Sequence, residues 1–261
     1  IARAFESFGL DLAHQYRIDA VAVAVFDHGN APPGYSDRQF RFDYLAERLG
    51  NMDRGQITDR LDWFSAFIFP TGNIPSIMTR MQAVADAYAS DQVDSPLFVM
   101  DTAPAAVLGA LMDPQVGQHE QLIVANVGNF HTLAFRLGPD RIEGIFEHHT
   151  GLIDQTRLDD LITALAGGTL THETVFDDHG HGALLYTQES MPSDFLCITG
   201  PRRNLMRTSR HSPYFAVPYG DMMIAGCFGL VRACADLNPD WAEAISSSLT
   251  GSARGAPWEH L

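Results

Sequence analysis

The chain has 261 residues, 17 of them basic and 32 acidic, for a net charge of −15, and every basic residue is an arginine. So negative a surface argues against nucleic acid and anionic membranes as partners. The lack of lysine excludes Schiff-base enzymes, pyridoxal-phosphate enzymes among them, and Walker-A nucleotidases.

Hydrophobic residues are 46% and charged residues 19%, a balance that fits one or two globular domains with a sizeable core. Cys197, Cys227 and Cys234 form no C-x-x-C pair, so neither a disulfide framework nor a zinc ribbon is expected. Cys197 and Cys227 sit in apolar runs and read as buried thiols. No apolar run reaches the about 18 residues of a membrane span, and no basic-plus-apolar leader opens the chain, so a cytoplasmic protein is expected. The pattern is already helical at Ile1, which suggests that an upstream segment has been removed.

Residues 2–16 have Phe5, Phe8, Leu12 and Tyr16 at near-helical spacing and predict an amphipathic helix. Ala20 to Phe26 is a continuous apolar run, as in a buried parallel strand, and ends at Asp27-His28-Gly29-Asn30. Ala31-Pro32-Pro33-Gly34 forces an extended loop. Beyond it, Arg38 and Arg41 are candidate anion contacts or partners of surface acids. Helices are predicted over 43–50, 57–66 and 76–89. Leu97 to Met100 reads as a strand. Asp101 or Thr102 then caps a helix whose small residues Ala105, Ala106, Gly109 and Ala110 imply close packing.

Leu122 to Gly151 reads as a three-stranded meander. Its first strand stops at Asn126-Val127-Gly128-Asn129, its second runs from Thr132, and Gly138-Pro139-Asp140 marks the next turn. The third strand ends in Glu147-His148-His149. Asp159 to Leu165 continues a helix that stops at Gly167-Gly168, and Thr171 starts a short helical turn. Asp177 to Gly182 is a second polar cluster, in which His179 and His181 would share one face of a strand. Phe195 to Thr199 is a further strand, and a helix follows from Met222 to about Ala235. The end of the chain reads as irregular.

These polar clusters offer a metal site. His28, His131, His148, His149, His179 and His181 supply imidazoles, and Asp27, Glu147 and Asp178 supply carboxylates. Two or three histidines plus a carboxylate suit Zn²⁺ or Fe²⁺. His148 and His149 point to opposite faces of a strand, so only one of them can bind a given ion. Each cluster sits at a strand end or hairpin turn, where open α/β sheets bind ligands, so the clusters are expected to converge on one cleft.

The spacing Asn126-x-Gly128-x-x-x-Thr132 resembles the second phosphate-binding hairpin of the actin, sugar-kinase and chaperone ATPase superfamily. Further stretches resemble a poorly characterised prokaryotic family labelled as pyruvate formate-lyase activating enzymes. They are Val21 to Gly34, Ser36 to Phe42, Asn126 to Thr132, Phe146 to Gly151, Gly180 to Gly182, Thr199 to Arg203 and Pro218 to Leu230. That family is itself similar to the actin-like ATPases. The resemblance implies an α/β fold of two ribonuclease-H-like lobes. The first, residues 1–95, is truncated at its N-terminus, the second spans 96–240, and 241–261 form an irregular tail.

The resemblance further implies ATP or ADP with Mg²⁺ as cofactor, and an ATPase or ATP-dependent phosphotransferase. Asn126, Gly128, Asn129 and Thr132 would hold phosphates, Gly200, Arg202, Gly220 and Asp221 would flank the adenosine, and Asp27, His28 and His131 would serve catalysis. Asn126 stands where the superfamily has a carboxylate, which leaves catalysis open. The family label itself implies radical chemistry, which needs C-x-x-x-C-x-x-C to hold an iron–sulfur cluster. These 261 residues contain no such motif, so no iron–sulfur cluster is expected. A metal-dependent enzyme and a non-catalytic binding module are the alternative readings.

Overall fold

The computed structural model describes Ser7, Gly9 and residues 18–50, 60–91, 94–192 and 195–251. Apart from Ser7 and Gly9, the helix predicted over 2–16 lies outside the described residues, as do 57–59 and 252–261.

The protein is a mixed α/β structure with two sheets. The first contains β1 (Val21–Ala24), β2 (Ile68–Pro70) and β3 (Leu97–Met100), in the order β1-β3-β2. β1 runs parallel to β3, and β2 antiparallel to it. β3 is wholly buried, but β1 is only partly covered. It is an edge strand among the described residues, which is why its apolar run does not reach the burial the sequence suggests.

The second sheet contains β4 (Leu122–Val127), β5 (His131–Leu137), β6 (Ile142–His149), β7 (Gly182–Leu185), β8 (Leu196–Thr199) and β9 (Tyr214–Phe215). Their order is β7-β6-β5-β4-β8-β9. β4 to β7 pair antiparallel in a meander, and β8 and β9 continue the sheet parallel to β4. Strand alternation gives each face its own core. Leu133, Phe135 and Leu137 face the first sheet, where the Phe64 ring meets Phe135 edge-on at 5.3 Å. Ala134 and Phe146 face the opposite way, onto Leu158, Leu161 and Leu165 of the helix Gln155–Ala166.

Helix α1 (Asp37–Gly50) begins at Ser36-Asp37, six residues before the helix predicted from residue 43. Residues 41, 45 and 49 follow helical spacing, so Arg41, Leu45 and Leu49 all lie on its buried face. The helix predicted over 57–66 is a 3₁₀ helix at Arg60–Phe67. Helix α2 is Thr79–Ser90, and α3 is Thr102–Leu111, capped by the Asp101 carboxylate, which accepts from the Ala103 N–H.

The short helices Pro114–Gly117 and His172–Phe176 and the longer Gln155–Ala166, Ala225–Leu237 and Pro239–Gly251 complete the fold. Part of the expected irregular tail is therefore helical. Asn238 followed by Pro239 is a helix-start pair, and Trp241 anchors the segment edge-on against Phe98 at 6.0 Å. Among the described residues no helix is long and apolar enough to cross a membrane. Cys197 and Cys234 are buried, but Cys227 is exposed, contrary to expectation, because it occupies the open side of the helix Ala225–Leu237.

Candidate metal centre

Beyond β1 the chain passes through Phe26 and Asp27 to His28. The buried Asp27 carboxylate accepts three backbone hydrogen bonds, from Gly29 at 2.9 Å, Arg80 at 2.8 Å and Met81 at 2.9 Å. It thereby caps the start of α2 and fixes His28 against that helix. Both oxygens of Asp27, which the sequence offers for catalysis, are thus engaged by backbone N–H groups.

On the second sheet His131 opens β5 and lies opposite His149 of β6. Alternation along β6 puts Glu147 and His149 on the face toward the first sheet and His148 on the other. His148 is buried there, with Nε2 3.4 Å from Asp178, which Arg157 also holds. Of the two adjacent histidines the sequence offers for an ion, it is the one that points away from the cluster. His181 precedes β7, and its backbone N–H donates to the Glu147 carbonyl at 2.8 Å. His179 does not share a strand face with it. That residue sits exposed in a turn at φ +65°.

His28, His131, His149 and His181 meet between the sheets. The His28 and His181 rings stack at 5.2 Å, and His131 lies 5.0 Å from His28 and 4.9 Å from His181. His149 is 4.7 Å from both His131 and His181. One ligand atom from each of His28, His131, Glu147 and His181 lies within 4.8 Å of all the others. Buried in this cluster, His28 Nε2, His131 Nε2, Glu147 Oε1 and both ring nitrogens of His181 have no hydrogen-bond partner among the described residues. Buried polar atoms are rarely left so, and several such atoms aimed at one point are the donor set of a cation.

The electrostatics agree. Burial, with repulsion from Arg41 and neighbouring imidazoles, pushes His28 down to about 4, His131 to about 3 and His181 to about 2. Burial lowers His149 as well. The imidazoles are therefore neutral, the form that ligates metals.

Glu147 is oriented by Arg41, which the sequence offers as an anion contact or a partner of surface acids. Arg41 is fully buried, with Nε 3.1 Å from Glu147 Oε2 and Nη1 2.5 Å from Asp101. Burial alone would lower its pKa, but the two carboxylates reverse that and hold it charged. Burial raises Glu147 against the opposing pull of Arg41. The signal available in the sequence was the i, i+4, i+8 spacing of Arg41, Leu45 and Leu49.

The residues assigned to phosphate and adenosine lie in the β4–β5 hairpin, the turn after β8 and a turn at Gly220. The Gly128 N–H donates to the His131 carbonyl within the hairpin, and the Thr132 hydroxyl is 3.0 Å from that of Thr150. Asn126 pairs across β4 and β8 with Thr199, and Gly200, at φ +100°, lets the next turn lie against it. The Arg202 N–H donates to Val127 O. Gly220 and Asp221 form a separate turn, where Asp221 accepts from the Met223 N–H at 2.7 Å. Asn129 is exposed beside the histidines and lines a pocket of about 710 Å³ that His28, His131 and His149 also line.

The class this defines is a mixed α/β protein with a buried imidazole–carboxylate cluster opening onto a pocket. The chain belongs to the family described as "Putative pyruvate format-lyase activating enzyme (DUF1786)", whose profile matches residues 1–205. All four cluster residues lie within that stretch. No curated protein matches the sequence.

Proposed function

We propose that the chain is a metal-dependent enzyme whose centre is formed by His28, His131, Glu147 and His181. The observation that carries this reading is the set of buried, unpartnered ligand atoms within 4.8 Å of one another. Three imidazoles and one carboxylate suit Zn²⁺ or Fe²⁺. Such an ion would supply a Lewis acid or, as iron, a redox centre. Arg41 keeps one oxygen of Glu147 engaged and leaves the other for the ion. Phe26 packs 4.5 Å from both His28 and His131, which fixes their rings and keeps water from that side. Because His28 and His131 also line the pocket, substrate would reach the ion past them. Elemental analysis of protein purified without a histidine tag tests this. About one zinc or iron per chain is expected, and a metal-free protein that takes up neither on dialysis would sink the reading.

A second reading, a nucleotide- or phosphate-binding protein of actin-like ATPase type with two ribonuclease-H-like lobes, is favoured by strand order. The second sheet is an antiparallel meander continued by two strands parallel to its first, and α3 leads into it from the first sheet. Against it, the Gly128 N–H and the Thr132 hydroxyl are already engaged within the fold. Calorimetric titration with Mg-ATP and Mg-ADP discriminates. Protein that takes up neither metal nor nucleotide fits the binding-module reading instead. A cytoplasmic location goes with all of these, supported by three cysteines that are free thiols.

A further inference from the structure

The pocket beside the cluster has a charge unlike that of its chain. Among the described residues its lining includes Arg80, Asn129 and the three imidazoles of His28, His131 and His149, but no aspartate or glutamate. The whole sequence carries 32 acidic residues against 17 basic ones. Arg80 is the arginine of that lining, and a guanidinium keeps its charge at any ordinary pH. Its Nη1 donates to the Phe26 carbonyl at 3.0 Å, and no carboxylate among the described residues pairs with it. Asp27 fixes the Arg80 backbone at the start of α2, so the guanidinium is carried on a rigid element.

The rest of the lining is apolar. Phe26 forms one wall, and Phe130, 79% exposed, and Leu152, 63% exposed, stand at the rim. Exposed side chains of this size are ordinary singly, but here two border the same cavity.

We infer that the substrate is a small organic anion, a carboxylate or a phosphate ester with an apolar tail. Arg80 holds its charged group, and Phe26, Phe130 and Leu152 cover the tail. An anionic group gains charge-assisted hydrogen bonds from the guanidinium and meets no like charge in the lining. An ammonium group would meet Arg80 with nothing to offset the repulsion. This rests on the metal-centre reading for the identity of the reacting end, but the anion contact itself does not need the ion.

The test is calorimetric titration of the full chain, metal-free and zinc-loaded, with straight-chain carboxylates from acetate to octanoate, the matching alkyl phosphates and the matching alkylammonium ions. Affinity is expected to rise with chain length for the carboxylates or the phosphates, the tighter series naming the headgroup, and to be absent for the ammonium series. Arg80→Met should weaken binding by about tenfold or more. Phe130→Ser, at an exposed position, should flatten the dependence on chain length and keeps the test open if Arg80→Met fails to fold. Equal affinity for the alkylammonium ions, undiminished binding by Arg80→Met, or no binding of either anion series overturns the inference. Anion binding without zinc uptake leaves it standing and removes the metal centre. Zinc uptake without anion binding does the reverse.

Discussion

Arg41 Nε donates to Oε2 of Glu147 across 3.1 Å, joining helix α1 to a strand of the second sheet through two side chains with almost no solvent exposure. Asp101, at the end of β3, shares the same guanidinium. Removing the cation strands two buried carboxylates, and Arg41→Met is expected to cost about 3–5 kcal/mol of stability. Glu147→Gln keeps the volume and a neutral acceptor and should cost less, about 1–2 kcal/mol. Urea unfolding of both variants checks the order. Equal losses would mean that Arg41 and Glu147 do not act as a pair.

Metal content separates the cluster from its neighbours. His28→Ala, His131→Ala and His181→Ala should each reduce bound zinc or iron well below one per chain, since each removes a ligand atom from the set. His179→Ala should leave it unchanged, because that side chain is exposed and outside the set. Arg41→Lys keeps a cation but not the two-sided fork, and about 10–100-fold weaker metal binding is expected. Metal retained in the His181 variant would remove that residue from the centre.

The helices α3 and Ala225–Leu237 touch backbone to backbone. A Cβ on Gly109 would strike the Ala225 carbonyl, and one on Gly229 would strike the Ala105 carbonyl. No flexible side chain can yield there, so Gly109→Ala and Gly229→Ala should each cost about 3 kcal/mol or more. Gly72→Ala faces open space and should change stability by about 0.5 kcal/mol at most. Thermal unfolding of the three variants measures the contrast.

The close packing of α3 was legible in Ala105, Ala106, Gly109 and Ala110, because small residues on one helix face have few other uses. The meander was legible too, since its turns are marked by Gly128 and by Gly138-Pro139-Asp140 and its strands by apolar runs. The meeting of His28, His131, Glu147 and His181 followed from placing polar residues at strand ends. What could not be read was which polar atoms the fold itself would consume. Asp27 looks as available as Glu147 in the sequence, yet three backbone N–H groups engage it. Arg41 looks like a surface cation, and only its long-range partners, Asp101 and Glu147, make burial tolerable. His179 and His181 share a strand face only if the strand reaches them, and β7 begins at Gly182.

The last expectation concerns acid. In the metal-free protein His28, His131 and His181 have folded pKa values of about 4, 3 and 2, against an ordinary value of 6.5. Below pH 6.5 the unfolded chain therefore binds protons that the folded cluster refuses. More protons on the unfolded state means that stability rises with pH, so it must fall as pH drops from about 6.5 toward 4. Glu147 works in the opposite sense, because a carboxyl raised in the folded state takes up its proton early. It is one group against three, so the imidazoles set the sign. The melting temperature in EDTA should hold steady above pH 7 and decline from pH 6.5 to 4.5. His131→Phe, which cannot be protonated, should flatten the decline. Added zinc should raise the melting temperature at pH 5 about as much as at pH 7.5, since imidazoles that stay neutral down to about pH 4 in the folded site give the metal no proton to displace. A metal-free melting temperature that stays constant from pH 7 to pH 5 would mean that these imidazoles are not buried together as neutral groups, and the metal centre built on them would fall with that result.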